Sequence, residues 1–174
     1  GHKMIADLIC NLLDTEYSYY KKLGAEKKPS LPEPFTASRY EDAQRFQNYS
    51  CSPVMEGFEP DTHAAEQWSD PFKGGWIAHK QGSCIKFNVS GSIIMLQYRK
   101  TINKPAPVAY AVIDGDRQNK VLLDANFDED WGDLCCLDEI YSGAKGEHTV
   151  EIVIDTEGKE NSDFMLISVI TANK

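Results

Sequence analysis

Four histidines, His2, His63, His79 and His148, are the side chains of this 174-residue chain that titrate nearest neutral pH. A general base needs a nucleophile to serve. Acyl transfer by serine requires a strained turn of the Gly-x-Ser-x-Gly or Gly-Asp-Ser kind, which exposes the hydroxyl and lets a histidine activate it. The sequence holds no such block. No catalytic residue is therefore expected within these residues, and no cofactor.

A second chemistry is offered by the acidic run Asp124-Ala125-Asn126-Phe127-Asp128-Glu129-Asp130-Trp131-Gly132-Asp133. Asp and Asn at alternate positions can aim oxygens at one hard cation, but the calcium-loop pattern places Gly sixth, where this run has Glu129. A solvated acidic loop with no metal is expected. The same run carries Trp131 between Asp130 and Asp133, and that trio suits a sugar. A pyranose presents an apolar C–H face and a rim of hydroxyls, so an exposed aromatic beside carboxylates stacks and hydrogen-bonds it at once. Trp131, Asp130, Asp133 and Trp68 form the candidate ligand-binding set, with plain packing of Trp131 as the alternative. Trp76, at the start of a strand pattern, is expected in the core.

Composition sets the limits. Hydrophobic content of 41% with 26% charged residues is that of an ordinary globular domain, and no apolar run reaches the roughly 18 residues a membrane span requires. The net charge of −9 repels nucleic acid. Cys10, Cys51, Cys84, Cys135 and Cys136 are odd in number and lack a C-x-x-C spacing, against both a zinc site and a disulfide scaffold. The neighbours Cys135 and Cys136, too close for an unstrained disulfide, are expected as buried or alternating-face thiols.

Three segments must position these side chains. Met4, Ile5, Leu8, Ile9, Leu12 and Leu13 recur at helical spacing, with Lys21, Lys22 and Gly24 as stop signals, giving a helix over 1–24. Residues 25–37, with Pro29, Pro32 and Pro34, read as a linker. Residues 38–174 read as an antiparallel β-sandwich. In it, Ile85-Lys86-Phe87-Asn88-Val89 is expected to turn at Ser90-Gly91-Ser92 into Ile93–Tyr98 as a hairpin with one wet face. Val108–Ile113 turns at Asp114-Gly115 into Lys120–Leu123. Possible strands at Trp76–His79 and Asp133–Leu137, with His148–Ile154 and Phe164–Thr171, bring the total to seven or eight.

Two stretches resemble a known family. Gly1-His2-Lys3-Met4-Ile5-Ala6 is similar to the close of SGNH (GDSL-type) hydrolase domains, where a catalytic Asp-x-x-His and Pro-Asn lead into Gly-His/Tyr-x-x-Ile-Ala and a final helix. Gly75-Trp76-Ile77, Phe87-Asn88-Val89-Ser90-Gly91-Ser92, Val112-Ile113-Asp114-Gly115 and Gly146-Glu147-His148-Thr149-Val150-Glu151-Ile152 together resemble the jelly-roll modules of SGNH-type carbohydrate esterases. In many of those enzymes the module precedes the catalytic domain, whereas here it follows. The resemblance implies a mainly β jelly roll with an N-terminal α-helix, serving as the non-catalytic accessory domain of an esterase or lipase. It implies a catalytic Ser–His machinery upstream of residue 1, His148 as a structural hydrogen-bonding residue, and a polysaccharide and the upstream hydrolase domain as partners. An extracytoplasmic location follows from the same resemblance. A stand-alone carbohydrate-binding or adhesion module is the alternative.

Overall fold

The computed structural model describes residues 1–23, 36, 38–64, 70–160 and 162–173. Contacts divide the chain into Gly1–Ala37 and Ser38–Lys174. The expected linker lies outside the described residues except for Thr36.

In the first unit, α1 spans His2–Leu23. Lys3 and Asp7 form an i,i+4 ion pair at 2.8 Å, and Lys21 and Lys22 place positive charge at the carbonyl end of the helix dipole. The stripe Met4, Ile5, Leu8, Ile9, Leu12 and Leu13 is exposed to between 52% and 67%.

The second unit is mainly β. Its strands are β1 (Gln44–Phe46), β2 (Val54–Glu56), β3 (Phe58–Pro60), β4 (Trp76–Ala78), β5 (Cys84–Lys100), β6 (Val108–Ile113), β7 (Val121–Asp124), β8 (Leu134–Thr156) and β9 (Phe164–Ala172). All nine belong to one antiparallel sheet ordered β3-β4-β9-β5-β8-β6-β7, with β1 added to β9 and β2 to β5. Two long strands turn this sheet into a sandwich. The first part of β5 (84–91) pairs with 146–153 of β8, and the second part (93–100) pairs with 134–142. The early part of β5 carries β2 on its other edge, the late part carries β9.

The expected hairpin at Ser90-Gly91-Ser92 is thus replaced by a bend within one 17-residue strand. A register shift falls between Gly91 and Ile93, and it reverses the parity of the buried side chains: Ile85, Phe87 and Val89 before it, and Ile94, Leu96 and Tyr98 after it, all enter the same core. A bulge does this because one extra residue exchanges the faces of everything downstream. Gly91 is there for proximity, since a Cβ would lie 3.1 Å from the Ala172 carbonyl oxygen and 3.2 Å from that of Ile93. Likewise the segments expected near 133–137 and 148–154 are the two ends of β8.

Between the layers, Trp76 on β4 meets Phe87 on β5 edge to face, with ring centroids 5.0 Å apart. Trp76 is 1% exposed, as expected from its sequence setting. The late part of β5 does not have the expected wet face. Ile93 and Met95 form a second cluster with Ala172, and Ile77, Met165 and Ile167 form a third with Phe72 and Cys135. Cys136 instead packs on the main core, so the two neighbouring thiols do face opposite sides of β8; all five cysteines are free.

Candidate functional site

The acidic loop joins β7 to β8, and its base is tied down while its tip stands free. Asp124 Oδ1 accepts from the Asn126 backbone N–H at 2.9 Å and from its side-chain amide at 2.6 Å. The Asn126 carboxamide brackets Ala106, accepting its N–H at 2.9 Å. Thr101 and the loop exchange backbone bonds, Thr101 N–H to Ala125 and Phe127 N–H to Thr101. Above this base the Trp131 indole stands edge-on to Phe127, centroids 5.1 Å apart, and remains 63% exposed. Gly132, directly after Trp131, takes φ 136°, a backbone conformation that favours glycine.

The carboxylates of this loop point to separate partners. Asp128 pairs with Lys104, whose hydrogen bond and charge hold the carboxyl below the usual range, and Asp133 lies 3.8 Å from Arg99 Nε. Asp130, the residue before Trp131, is exposed. Among the described residues no group of three or more His, Cys, Asp or Glu side chains gathers where it could hold a metal. Trp131 and Asp130 are exposed on this loop, while Asp133, two residues after Trp131, is half-buried and faces Arg99. Trp68 lies outside the described residues.

Three histidines have carboxylate orienters, which is two-thirds of a catalytic triad. His63 Nδ1 is 2.8 Å from Asp61 Oδ1, His79 Nδ1 pairs closely with Asp163, and His148 Nδ1 is 2.8 Å from Asp114 Oδ2. At His79 and His148 the remaining third is absent among the described residues. His79 Nε2 faces Glu59 Oε1 at 3.5 Å, and His148 Nε2 is buried with no partner among the described residues. Among the described residues neither imidazole bonds a hydroxyl. Partial burial lowers the His79 pKa, but the bonds and charges of Asp163 and Glu59 outweigh it and hold the group above its ordinary value.

The Asp114–His148 pair is a brace between strands. Asp114 begins the β6–β7 turn at φ 51° and accepts from both His148 and the Thr149 backbone N–H, the latter at 2.8 Å. An Asp carboxylate only accepts, so the shared proton sits on Nδ1. The His148 bond, followed by that of Thr149, holds the Asp114 carboxyl below the usual range. A lowered folded-state pKa stabilises the fold above the unfolded value, near 3.9, and that contribution vanishes as pH falls through the folded value. Asp114→Asn should therefore lower the urea midpoint at pH 7, with the gap to wild type closing below about pH 4. A pH-independent gap would show that ionisation of this group is not what the brace uses.

Sequence reasoning missed a cleft beside this brace. It is lined by Ile113, Asp114, Asp116, Asn119, Ile140 and Tyr141, with a volume of about 280 Å³. Its walls come from two distant stretches of chain, and the Asp-Gly turn was the one visible signal.

No protein-family model and no curated protein matches the chain. Among solved structures, a two-domain esterase (CEX) active on acetylated mannans matches with 41% identity and a TM-score of 0.76, over 86% of this chain and 41% of its own. The same esterase co-crystallised with mannopentaose matches with 40% identity and a TM-score of 0.77, over 100% of this chain and 46% of its own. A family two carbohydrate esterase from Cellvibrio japonicus shares the fold at 14% identity, with a TM-score of 0.55, over 76% of this chain and 34% of its own. These solved relatives are carbohydrate esterases and lend no support to a lipase. The chain spans less than half the length of each of them. It is therefore related to the accessory β-sandwich part of two-domain carbohydrate esterases.

Proposed function

We propose that this chain is a non-catalytic accessory domain that engages the polysaccharide substrate of a carbohydrate esterase, with a mannan as the glycan. The observation that carries the reading is the Trp131 loop: a tethered base and an indole 63% exposed, with Asp130 and Asp133 within two residues of it in the sequence. A stacking ring held by Phe127 loses little freedom when a sugar covers it, and flanking carboxylates accept hydroxyl protons. The relative of about 40% identity, active on acetylated mannans, supports the choice of glycan. The two-domain form of that relative supports a hydrolase domain as partner. The exposed apolar stripe of α1 offers such a domain a surface to cover.

The test is affinity electrophoresis in gels containing acetylated glucomannan. Wild type should be retarded, and Trp131→Ala should be retarded less, by a loss of roughly two- to tenfold in affinity for one stacking contact of about 0.5–1.5 kcal/mol. Equal mobility of the two proteins in the presence and absence of glycan would overturn the reading. A stand-alone binding module predicts the same electrophoresis, and nothing in the fold favours it over the esterase context.

A further inference from the structure

We propose that the cleft between the β6–β7 turn and the bend of β8 is a second saccharide subsite, which takes one neutral hexose unit. Its place in the fold separates it from the Trp131 loop. Trp131 lies just before Leu134, where β8 begins opposite Lys100, whereas Tyr141 pairs with Ile94 next to the bend. From Leu134 to Tyr141 an extended strand covers on the order of 25 Å, so the two places lie at opposite ends of the sandwich.

The cleft combines the two surfaces a pyranose needs. Ile113, Ile140 and the Tyr141 ring supply apolar contact, and Asp114, Asp116 and Asn119 supply a polar rim. Its 280 Å³ lies just under the range of about 300–1,000 Å³ usual for small-ligand pockets, which suits one sugar ring and not a chain.

The rim is fixed before any ligand arrives. Asp114 is held by His148 and Thr149. Asp116 Oδ1 accepts from the Gln118 and Asn119 backbone N–H groups, at 3.1 and 3.2 Å, and its Oδ2 accepts from the Asn119 side chain at 2.8 Å. Each Asp114 oxygen still has a lone pair to spend, and the Asn119 carboxamide keeps its oxygen and one N–H, so acceptors and a donor both remain for hydroxyls. Side chains already ordered by their own bonds add little entropic cost on binding.

The wall is fixed too. The Tyr141 ring packs on the His148 imidazole, with centroids 4.3 Å apart, and its hydroxyl donates to the Ala144 carbonyl at 3.0 Å. A Cβ on Gly143 would lie 2.6 Å from that hydroxyl oxygen, so the glycine leaves room for the ring to sit there. The His148 side chain is 9% exposed and its Nε2 has no partner among the described residues, a buried polar cost carried beside the cleft.

Charge narrows the ligand class. The hydrogen bonds to Asp114 and Asp116 hold both carboxyls below the ordinary range, so the rim is doubly negative at neutral pH. The positive neighbour Arg117 is turned to Glu151, at 2.9 Å. A uronate, sulfate or phosphate would be repelled; among the sugars that remain, the glycan reading above selects the neutral one.

The choice of a hexose rests on the glycan reading above, while the cleft and its bonding do not. The test is a ¹H–¹⁵N NMR titration with methyl β-mannoside to tens of millimolar, on wild type, Trp131→Ala and Asn119→Ala, each checked for an unchanged melting temperature. The amides of Gly115, Asn119 and Tyr141 should shift saturably in wild type and in Trp131→Ala, and at least fivefold less in Asn119→Ala. Methyl glucuronide should leave them in place. Shifts untouched by Asn119→Ala, shifts equal with the glucuronide, or shifts produced by calcium with no further change on adding the mannoside would each overturn the subsite. Mannan retardation that needs Trp131, together with a silent cleft, would defeat this inference alone. A responsive cleft with Trp131-independent mobility would defeat the loop reading alone.

Discussion

Gly75→Ala is expected to destabilise the β domain by about 3 kcal/mol or more, the upper end of the overpacking range. The reason is contact with backbone. A Cβ at residue 75 would lie 2.0 Å from the Leu166 carbonyl oxygen and 2.8 Å from the Ile167 Cα. A flexible side chain could swing aside, but a carbonyl inside a paired strand cannot. The first residue of β4, Trp76, pairs directly with Leu166, so relief of the clash must pull β4 from β9 and withdraw Trp76 from the core. The Gly75 carbonyl also accepts from the Asp61 backbone N–H at 2.9 Å and from the Asn48 side chain at 2.8 Å, so a displaced residue 75 also loosens the segments that follow β1 and β3. For a domain of this size the melting temperature should fall by roughly 10 °C. Gly82→Ala is the control. Gly82 has φ 81° with nothing within 4 Å of its added Cβ, so it should lose only the roughly 1–2 kcal/mol of left-handed strain. If the two variants melt together, close approach is not the role of Gly75.

The same glycine shows how far the sequence could be read. Gly75-Trp76-Ile77 was legible as the start of a strand because two large apolar residues follow a glycine, and the alternation of Ile85, Phe87 and Val89 was legible as one buried face. The bend at Gly91 was not. Ser90-Gly91-Ser92 has turn composition, and only the partner strand distinguishes a turn from a bulge that exchanges faces. The parity change from odd to even core positions was the available sign. β1, β2 and β3 are three residues each, and all of β2 is exposed. They exist through pairing with β9, β5 and β4, which no local pattern encodes.

The candidate site divides in the same way. The Trp131 loop was visible because its residues are contiguous: an aromatic within an acidic run between two strands reads as an exposed tip. The Asp114 cleft draws Asp114–Asn119 and Ile140–Tyr141 together through the pairing of β6 with the late part of β8 and the bend within β8 itself. A site assembled by the least legible feature of the fold is itself illegible. The three Asp–His pairs illustrate the opposite risk, since each looks like a fragment of a triad. His79 and His148 differ from a triad histidine in what lies at Nε2, a carboxylate in one case and a buried position without a hydrogen-bond partner among the described residues in the other.

Trp76→Ala should be nearly as damaging as Gly75→Ala, by a different route. The indole is among the largest fully buried side chains, and its removal leaves a cavity between layers that are pinned by their shared strands and cannot collapse freely. Aromatic-to-alanine changes in such cores cost about 3–5 kcal/mol, and the edge-to-face pair with Phe87 contributes about 0.5–1.5 kcal/mol of that beyond area. The pair term can be isolated with Trp76→Leu, Phe87→Leu and the double variant in urea denaturation. A coupling energy near 1 kcal/mol is expected because the rings meet directly across the core. Additivity within about 0.3 kcal/mol would mean the two layers are held by burial alone. The outcome bears on function through geometry. The Trp131 tip and the Asp114 cleft lie at opposite ends of a sandwich whose layers Trp76 and Phe87 join. Trp76→Leu, folded below its lowered melting temperature, should therefore keep its glycan retardation even though its stability is reduced, since neither end touches the indole of Trp76.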